Sequence, residues 1–395
     1  MKLSDKIISM EHSPVEKYYI YANRVKSRGK KVYHLNIGQP DIKTPPEYMR
    51  AVRAYDDEVL RYTASEGVTA TIDAVRHYYS RHNMDYSRSE IIITNGGSEA
   101  LTFAFACILD PGDEVIIPEP FYANYSIFTG LFGGKIVPVT TCPENGYHYA
   151  DRDILEKAIT PRTKAICLCN PGNPTGTALS RDEMRMICDL AVKHDFFIVA
   201  DEVYREFCYD ADEVLSFGQF REAADRIILI DSVSKRFSAC GARIGSIATK
   251  NKDMYFNLMK LAQARLCCST LDQLGATTLY ELPDNFFDET KEEYRHRRDV
   301  AYDAISSIKG VVCTKPRGAF YMTCRLPVEN AEDFLIWMLT EFEDNGETAM
   351  FAPIEGFYAT PGLGKSEIRI AYVLNEKDLL RGIELIKLGL EAYKK

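Results

Sequence analysis

The feature that most constrains this chain is a succession of short apolar runs, each closed by small, polar or charged residues. Ala165–Cys169 leads into Asn170-Pro171-Gly172-Asn173-Pro174-Thr175-Gly176, Phe196–Val199 into Ala200-Asp201-Glu202-Val203-Tyr204, and Ile227–Ile230 into Asp231-Ser232-Val233-Ser234-Lys235. Runs this short and this continuously apolar have the length and content of strands buried on both faces. Their C-terminal ends are where open α/β sheets bind ligands. Three such ends in turn carry an amide, an acid with a tyrosine, and a lysine. Lys235 lies among small hydroxyl residues with a second cation at Arg243. In that setting an amine can have its pKa lowered for Schiff-base chemistry.

Upstream, Ile91–Thr94 is a β-branched run followed by Asn95-Gly96-Gly97-Ser98-Glu99-Ala100-Leu101, which opens a helix ending near Asp110-Pro111-Gly112. Glycines before a helix start, with Ser98 and Glu99 in its first turn, offer free N–H groups and the positive end of the helix dipole to a phosphate. Glu114–Ile117 is the next strand, and the aromatics Phe121 and Tyr122 follow it. An aromatic at a strand end can stack on a flat ring, and these two leave the register open by one residue. Lys135–Val139 is a further strand and a helix follows near Asp153–Ile159. Ser180 with Glu183 is a capping box opening a helix to about His194.

Taken alone, each motif has a plain structural reading: a solvated loop lysine, an N-cap acid at Asp201, a turn amide at Asn173, a turn glycine at Gly38 before Gln39-Pro40. Together and in this order they resemble the class I, aspartate aminotransferase-like, pyridoxal-phosphate-dependent aminotransferases over nearly the whole chain. The resemblance implies an α/β protein of the fold type I transferase kind, with a mostly parallel central sheet flanked by helices and a smaller α/β domain. It divides the chain into an N-terminal arm and part of the small domain (1–44), a large cofactor-binding domain (45–285), and an interdomain helix with the rest of the small domain (286–395). Ile244–Ala248 becomes the sheet's antiparallel member.

By the same resemblance Lys235 holds pyridoxal phosphate as a Schiff base and then shuttles the proton between Cα and the cofactor. Asp201 faces the ring nitrogen, Asn173 and Tyr204 the phenolic oxygen, and Tyr122 stacks on the ring. Gly97, Ser98, Glu99, Ser232 and Arg243 hold the phosphate, with Tyr62 reaching it from a neighbouring subunit. Gly38, Asn173 and Arg369 bind the substrate's carboxylate side. The implied reaction is ping-pong amino transfer between an L-amino acid and a 2-oxo acid in a homodimer with shared active sites. Aspartate with 2-oxoglutarate is one candidate pair. A cysteine-conjugate β-lyase and an aromatic amino-acid aminotransferase are the alternatives on the same scaffold. A cofactor-sensing DNA-binding regulator is disfavoured, because the pattern begins within about 35 residues of Met1. A purely structural protein would not carry every catalytic position.

Composition narrows the partners. A net charge of −9 argues against nucleic-acid or anionic-membrane surfaces. The 11 cysteines show no metal-ligand spacing and read as reduced thiols in a cytoplasmic protein. No signal-peptide pattern opens the chain, and no apolar stretch is long enough to span a membrane. Substrate choice rests on a second cation. The aspartate-specific branch has a lysine just after the phosphate-cup glycines where this chain has Ser98, so Arg265 or Arg317 would have to supply the charge.

Overall fold

A computed structural model describes the chain except Ser9, Glu11, residues 211–213, Asp284 and residues 394–395. Its strands are β1 (Lys31–His34), β2 (Ile91–Thr94), β3 (Glu114–Glu119), β4 (Lys135–Thr140), β5 (Thr163–Cys169), β6 (Phe197–Asp201), β7 (Ile227–Ser232), β8 (Gly245–Ala248), β9 (Val312–Cys313), β10 (Tyr321–Arg325), β11 (Glu347–Met350), β12 (Ala352–Pro353) and β13 (Glu367–Ala371). Seven of them form the central sheet in the order β2-β8-β7-β6-β5-β3-β4. Every pairing is parallel except those of β8, which runs antiparallel to both β2 and β7. The antiparallel member is thus the strand the resemblance singled out.

The apolar runs are continuous because helices cover both faces of this sheet. Successive side chains alternate between the two layers: Ile91 and Ile93 join one core and Ile92 the other, as do Ile227 and Leu229 against Ile228 and Ile230. Helices Thr69–Arg81, Arg181–His194 and Thr270–Tyr280 contribute to the first core, and Gly96–Ile108 and Lys252–Arg265 to the second. The helix Arg181–His194 begins with both halves of the Ser180/Glu183 capping box in place.

A third core lies elsewhere. It gathers Tyr18, Ala22 and Leu35 from the N-terminal region with residues of the helices Phe286–Ser306, Ala331–Thr340 and Glu376–Ala392. A four-stranded antiparallel sheet, β12-β13-β10-β9, and the parallel pair β1-β11 belong to it. Tyr204 and Phe207, which follow β6, also pack into this third core. Among the described residues no helix is long and apolar enough to cross a membrane.

Within the central sheet β3 is flanked by β4 on one side and β5 on the other, so the chain reverses its direction of growth there. Crevices at such reversals, beyond the carboxyl ends of the strands, are natural ligand sites.

Candidate active site

Beyond the carboxyl ends of β3, β5, β6 and β7 lies a cleft of about 420 Å³. Tyr122, Asn173, Asp201, Tyr204, Ser232 and Lys235 line it from the central sheet. Gly97, Ser98 and Arg243 close one end, and Gly38 and Arg369 face them from the other core.

Lys235 lies on a single helical turn, Val233–Arg236, which Ser232 starts by accepting the Ser234 N–H at 3.1 Å. The turn carries the Lys235 amine across the cleft, where Nζ donates to the Gly38 carbonyl at 2.8 Å. Gly38 is also packed tightly against a side chain of the other core. A Cβ there would stand 1.7 Å from the Tyr321 hydroxyl.

Asp201 closes β6 and is buried. The Tyr125 hydroxyl donates to its Oδ2 at 2.8 Å and the Val203 N–H to its Oδ1 at 3.4 Å. Burial nevertheless pushes its carboxyl up to about 6, with the nearby charges of Asp231 and Glu202 adding to the rise. A buried carboxylate with two neutral donors and no cation of its own is a site prepared for a cationic partner.

Tyr204 and Tyr321 share a hydrogen bond between their hydroxyls at 2.9 Å. Burial, then the Tyr321 neighbour, holds the Tyr204 phenol well above its usual range. The register left open after β3 is resolved by packing. Phe121 is in the core, whereas Tyr122 faces the cleft and accepts from Asn124 Nδ2 at 2.8 Å.

Arg369 lies on β13 opposite Thr323 of β10. It is 5% exposed, so the strand turns this charge inward and not to solvent. Its Nη1 donates to Asn173 Oδ1 at 3.0 Å and its Nη2 to the Asn36 carbonyl at 2.7 Å, while Nε has no partner. The guanidinium also sits 4.4 Å from the Tyr321 ring centroid, a cation–π arrangement. A planar fork fixed this way presents a carboxylate site.

At the opposite end, Asn95 gives the helix Gly96–Ile108 no side-chain cap, so the first-turn N–H groups of Gly97 and Ser98 remain available. Arg243 adopts φ +53° and donates to the Cys240 carbonyl at 3.1 Å. Gly96, at φ +74°, leaves it room, since a Cβ there would stand 2.4 Å from Arg243 Nη2. Helix N-terminus, the Ser232 and Ser234 hydroxyls and the Arg243 fork together form an anion site.

Two expected residues do not line this cleft. The Glu99 carboxylate turns back to accept from the Asn95 N–H at 2.8 Å and pairs with Arg265 at 3.4 Å. It braces the glycine turn, and its charge would oppose a phosphate. Tyr62 is 80% exposed and outside the cleft. Arg265 is committed to Glu99 and to the Ser65 and Ile93 carbonyls, and Arg317 is exposed elsewhere. Neither brings its charge to the cleft within one chain.

Sequence reasoning does not single out Tyr321, Tyr125, Ser234 or the N-terminal stretch Ser13–Glu16, three of which reach the cleft while Tyr125 supports Asp201 from behind. Tyr125 carries a signal, three residues after Tyr122 on the helix that follows β3. Nothing local marks the N-terminal stretch.

Comparison with known proteins agrees with this geometry. Residues 30–386 match the family "Aminotransferase class I and II". An aspartate aminotransferase of Bacillus subtilis is 31% identical over the full length of both chains. An aspartate/prephenate aminotransferase of Thermus thermophilus is 31% identical over 81% of this chain and 83% of its own. Among solved structures, an alanine aminotransferase from Pyrococcus furiosus superposes with a TM-score of 0.90 at 28% identity, covering 99% of this chain and 100% of its own. The Thermus thermophilus aspartate aminotransferase with maleate gives 0.88 at 28% identity, covering 98% and 100%. With these matches and this cleft, the chain belongs to the class I and II aminotransferases and is a pyridoxal-phosphate-dependent enzyme that transfers amino groups.

Proposed function

We propose that this cleft works as one site in which Lys235 bonds the cofactor, Arg369 receives the α-carboxylate of an L-amino acid, and the two half-reactions are run in turn with a 2-oxo acid. The observation that carries the reading is Asp201, a buried carboxylate with no cationic partner among the described residues, facing the same cleft as the Lys235 amine. The residues fit pyridoxal phosphate. They offer an anion site at the helix start, an aromatic face at Tyr122, an acid for a ring nitrogen and an amine for an aldehyde. When bound, the cofactor supplies an electron sink that stabilises the carbanion left at the substrate's Cα.

The rest is done by this chain's own residues. With the cofactor bound, Asp201 would pair with the ring nitrogen and keep a proton there. Tyr204 and Asn173 would hold the phenolic oxygen, the first steadied by Tyr321 and the second by Arg369. Arg369 would align the substrate so that its Cα hydrogen faces Lys235, whose amine would take the proton from Cα and deliver it to the carbon on the other side of the amino nitrogen. Glu99, turned back onto Asn95 and Arg265, is not among the phosphate contacts.

Relatives named for aspartate support aspartate as the amino donor, with 2-oxoglutarate taken as the acceptor. That reading needs one more cation, which a second subunit would bring. The exposed apolar stretch Val59, Leu60 and Tyr62 supports a homodimer with shared sites, in which Tyr62 reaches its neighbour's phosphate. A specific observation favours neutral or aromatic donors as the second reading. Among the described residues Lys235, Arg243 and Arg369 are the cations lining the cleft, and Glu16 is an acid on its rim. Residues 1–44 and 286–395 would act as the smaller domain of a cytoplasmic enzyme.

Two measurements test this. Borohydride reduction of the cofactor-loaded enzyme is expected to label Lys235, and labelling elsewhere would end the proposal. A panel of amino donors against 2-oxoglutarate separates acidic from neutral and aromatic preference. Keto-acid-independent release of pyruvate and ammonia from cystathionine would point to β-elimination instead.

A further inference from the structure

Four residues of the cleft, Asp201, Tyr204, Ser232 and Lys235, each have a sequence neighbour that joins one buried ionic network outside the cleft. Asp201 is followed by Glu202, Tyr204 by Arg205 and Lys235 by Arg236, while Ser232 is preceded by Asp231. All four neighbours are fully buried, with their side chains wholly removed from solvent. Asp231 is the hub. Its Oδ2 pairs with Arg205 Nη1 at 3.0 Å, and its Oδ1 pairs with Arg236 Nη2 and accepts the Ser232 N–H at 2.7 Å. Arg205 Nε in turn pairs with Glu202 Oε2 at 2.7 Å, and Glu202 Oε1 accepts the Phe217 N–H at 2.7 Å.

Other groups face this network from the helices above it. The Tyr78 ring lies 4.6 Å from the Arg236 guanidinium and the Tyr79 ring 5.5 Å from that of Arg205. Tyr280 faces both arginines, and the Tyr78 hydroxyl donates to Glu206, which His82 also approaches at 3.3 Å. Against the cost of its burial, the His82 hydrogen bond and the Arg236 charge hold Glu206 down at about 2.

Stability does not account for such an arrangement. A buried ion network is often no more stable than a well-packed apolar core of the same volume. This one even leaves Arg205 Nη2 and Arg236 Nε and Nη1 without partners. Its placement accounts for it better, since it ties the ends of β6 and β7 to each other through the residues next to Asp201 and Lys235.

We propose that the Asp231–Arg205–Arg236–Glu202 network is a positioning and electrostatic device that fixes Lys235 and Asp201 relative to each other and sets the charge felt at the Lys235 nitrogen. The proposal rests on the assignment of Lys235 as the cofactor-bonding amine. The network's four side chains are wholly removed from solvent, in an interior where charges are screened less than at the surface. Removing the central acid therefore disfavours a proton on the Lys235 nitrogen, and removing the neighbouring cation favours it.

The test reads the pH midpoint at which the visible absorbance of the pyridoxal-phosphate-loaded enzyme titrates. Asp231→Asn is expected to lower that midpoint and Arg236→Met to raise it, each by about half a unit or more. Glu114→Gln is the control, since its partners Thr160 and Arg162 lie at the far, amino-terminal end of β3. It is expected to lower melting temperature without moving the midpoint. Shifts of opposite sign support the proposal, because simple loosening of the fold would not move the two variants apart. Unchanged midpoints, or shifts of the same sign, overturn it. If Asp231→Asn does not fold, the direction of the Arg236→Met shift decides alone, a rise supporting the proposal and anything else refuting it. Borohydride labelling of the same parent sample keeps the two assignments apart. Labelling away from Lys235 refutes the site reading, whereas labelling at Lys235 with unmoved midpoints refutes only the network's role.

Discussion

Replacing Asp201 with asparagine produces two effects of opposite sign, and their sizes derive from the burial of one carboxyl group. In the cofactor-free chain that carboxyl is raised from 3.8 to about 6, mainly by burial. A carboxyl raised on folding contributes stability that is fully present below its unfolded pKa and lost as pH rises through its folded one. A rise of roughly two units is worth about 3 kcal/mol, so the cofactor-free parent protein carries a penalty of about that size at pH 8. About half of it develops between pH 5 and pH 8. Asparagine cannot ionise and still accepts the Tyr125 hydroxyl, so the cofactor-free variant should be more stable than its parent, and increasingly so toward pH 8. With cofactor the sign reverses, because the ring nitrogen loses its acid. An ion pair broken in this way costs about 3–5 kcal/mol, or roughly two to four orders of magnitude in cofactor affinity. Urea denaturation of the stripped proteins at pH 5 and pH 8, beside cofactor titrations, measures both. A stability difference that is independent of pH would refute the account of Asp201, and undiminished cofactor affinity would refute its pairing with the ring.

Lys235→Ala should lose about 10²–10⁴-fold or more in turnover while still binding free cofactor, checked by single-turnover kinetics and by loss of borohydride labelling. Arg369→Lys keeps a charge but not the fork held by Asn173 and Asn36, and about 2 kcal/mol or more should disappear from kcat/KM for every amino acid alike, read from a donor panel. Gly38→Ala drives a methyl group onto the Tyr321 hydroxyl and should disturb Lys235, with a turnover loss of at least about tenfold relative to the parent enzyme. Ser180→Ala should cost about 0.5–2 kcal/mol in thermal unfolding and leave the kinetics unchanged, because that cap serves a helix remote from the cleft.

Much of the central sheet can be read from the chain because its physics is local. Runs such as Ile227–Ile230 are apolar at every position, which only burial on both faces requires, and the polar residues that close each run are the ones a ligand meets. Helix limits are legible where side chains cap them, as at Ser180 with Glu183. Features that depend on distant partners stay hidden. Glu99 has the sequence position of a phosphate-cup residue, and only the location of Arg265 shows why it turns away. β1 pairs with β11 more than 300 residues later, and two-residue strands such as β9 and β12 have too little length for any periodicity. Tyr321 ends an unremarkable run, yet it touches Tyr204, crowds Gly38 and backs Arg369. The buried charges next to Tyr204 and Lys235 are equally invisible, because Arg205 and Arg236 in a sequence suggest surface until a fold encloses them.

Arg369 is carried by a strand of the third core, while Lys235, Asp201 and the anion site belong to the central sheet and its helices. On the proposed assignment, the group that would anchor the substrate's common carboxylate and the groups that would act on its Cα stand on different scaffolds. The cleft therefore keeps its geometry only while the two cores keep theirs relative to each other, and the Lys235 amine on the Gly38 carbonyl and the Arg369 fork on Asn173 are the contacts that register one against the other.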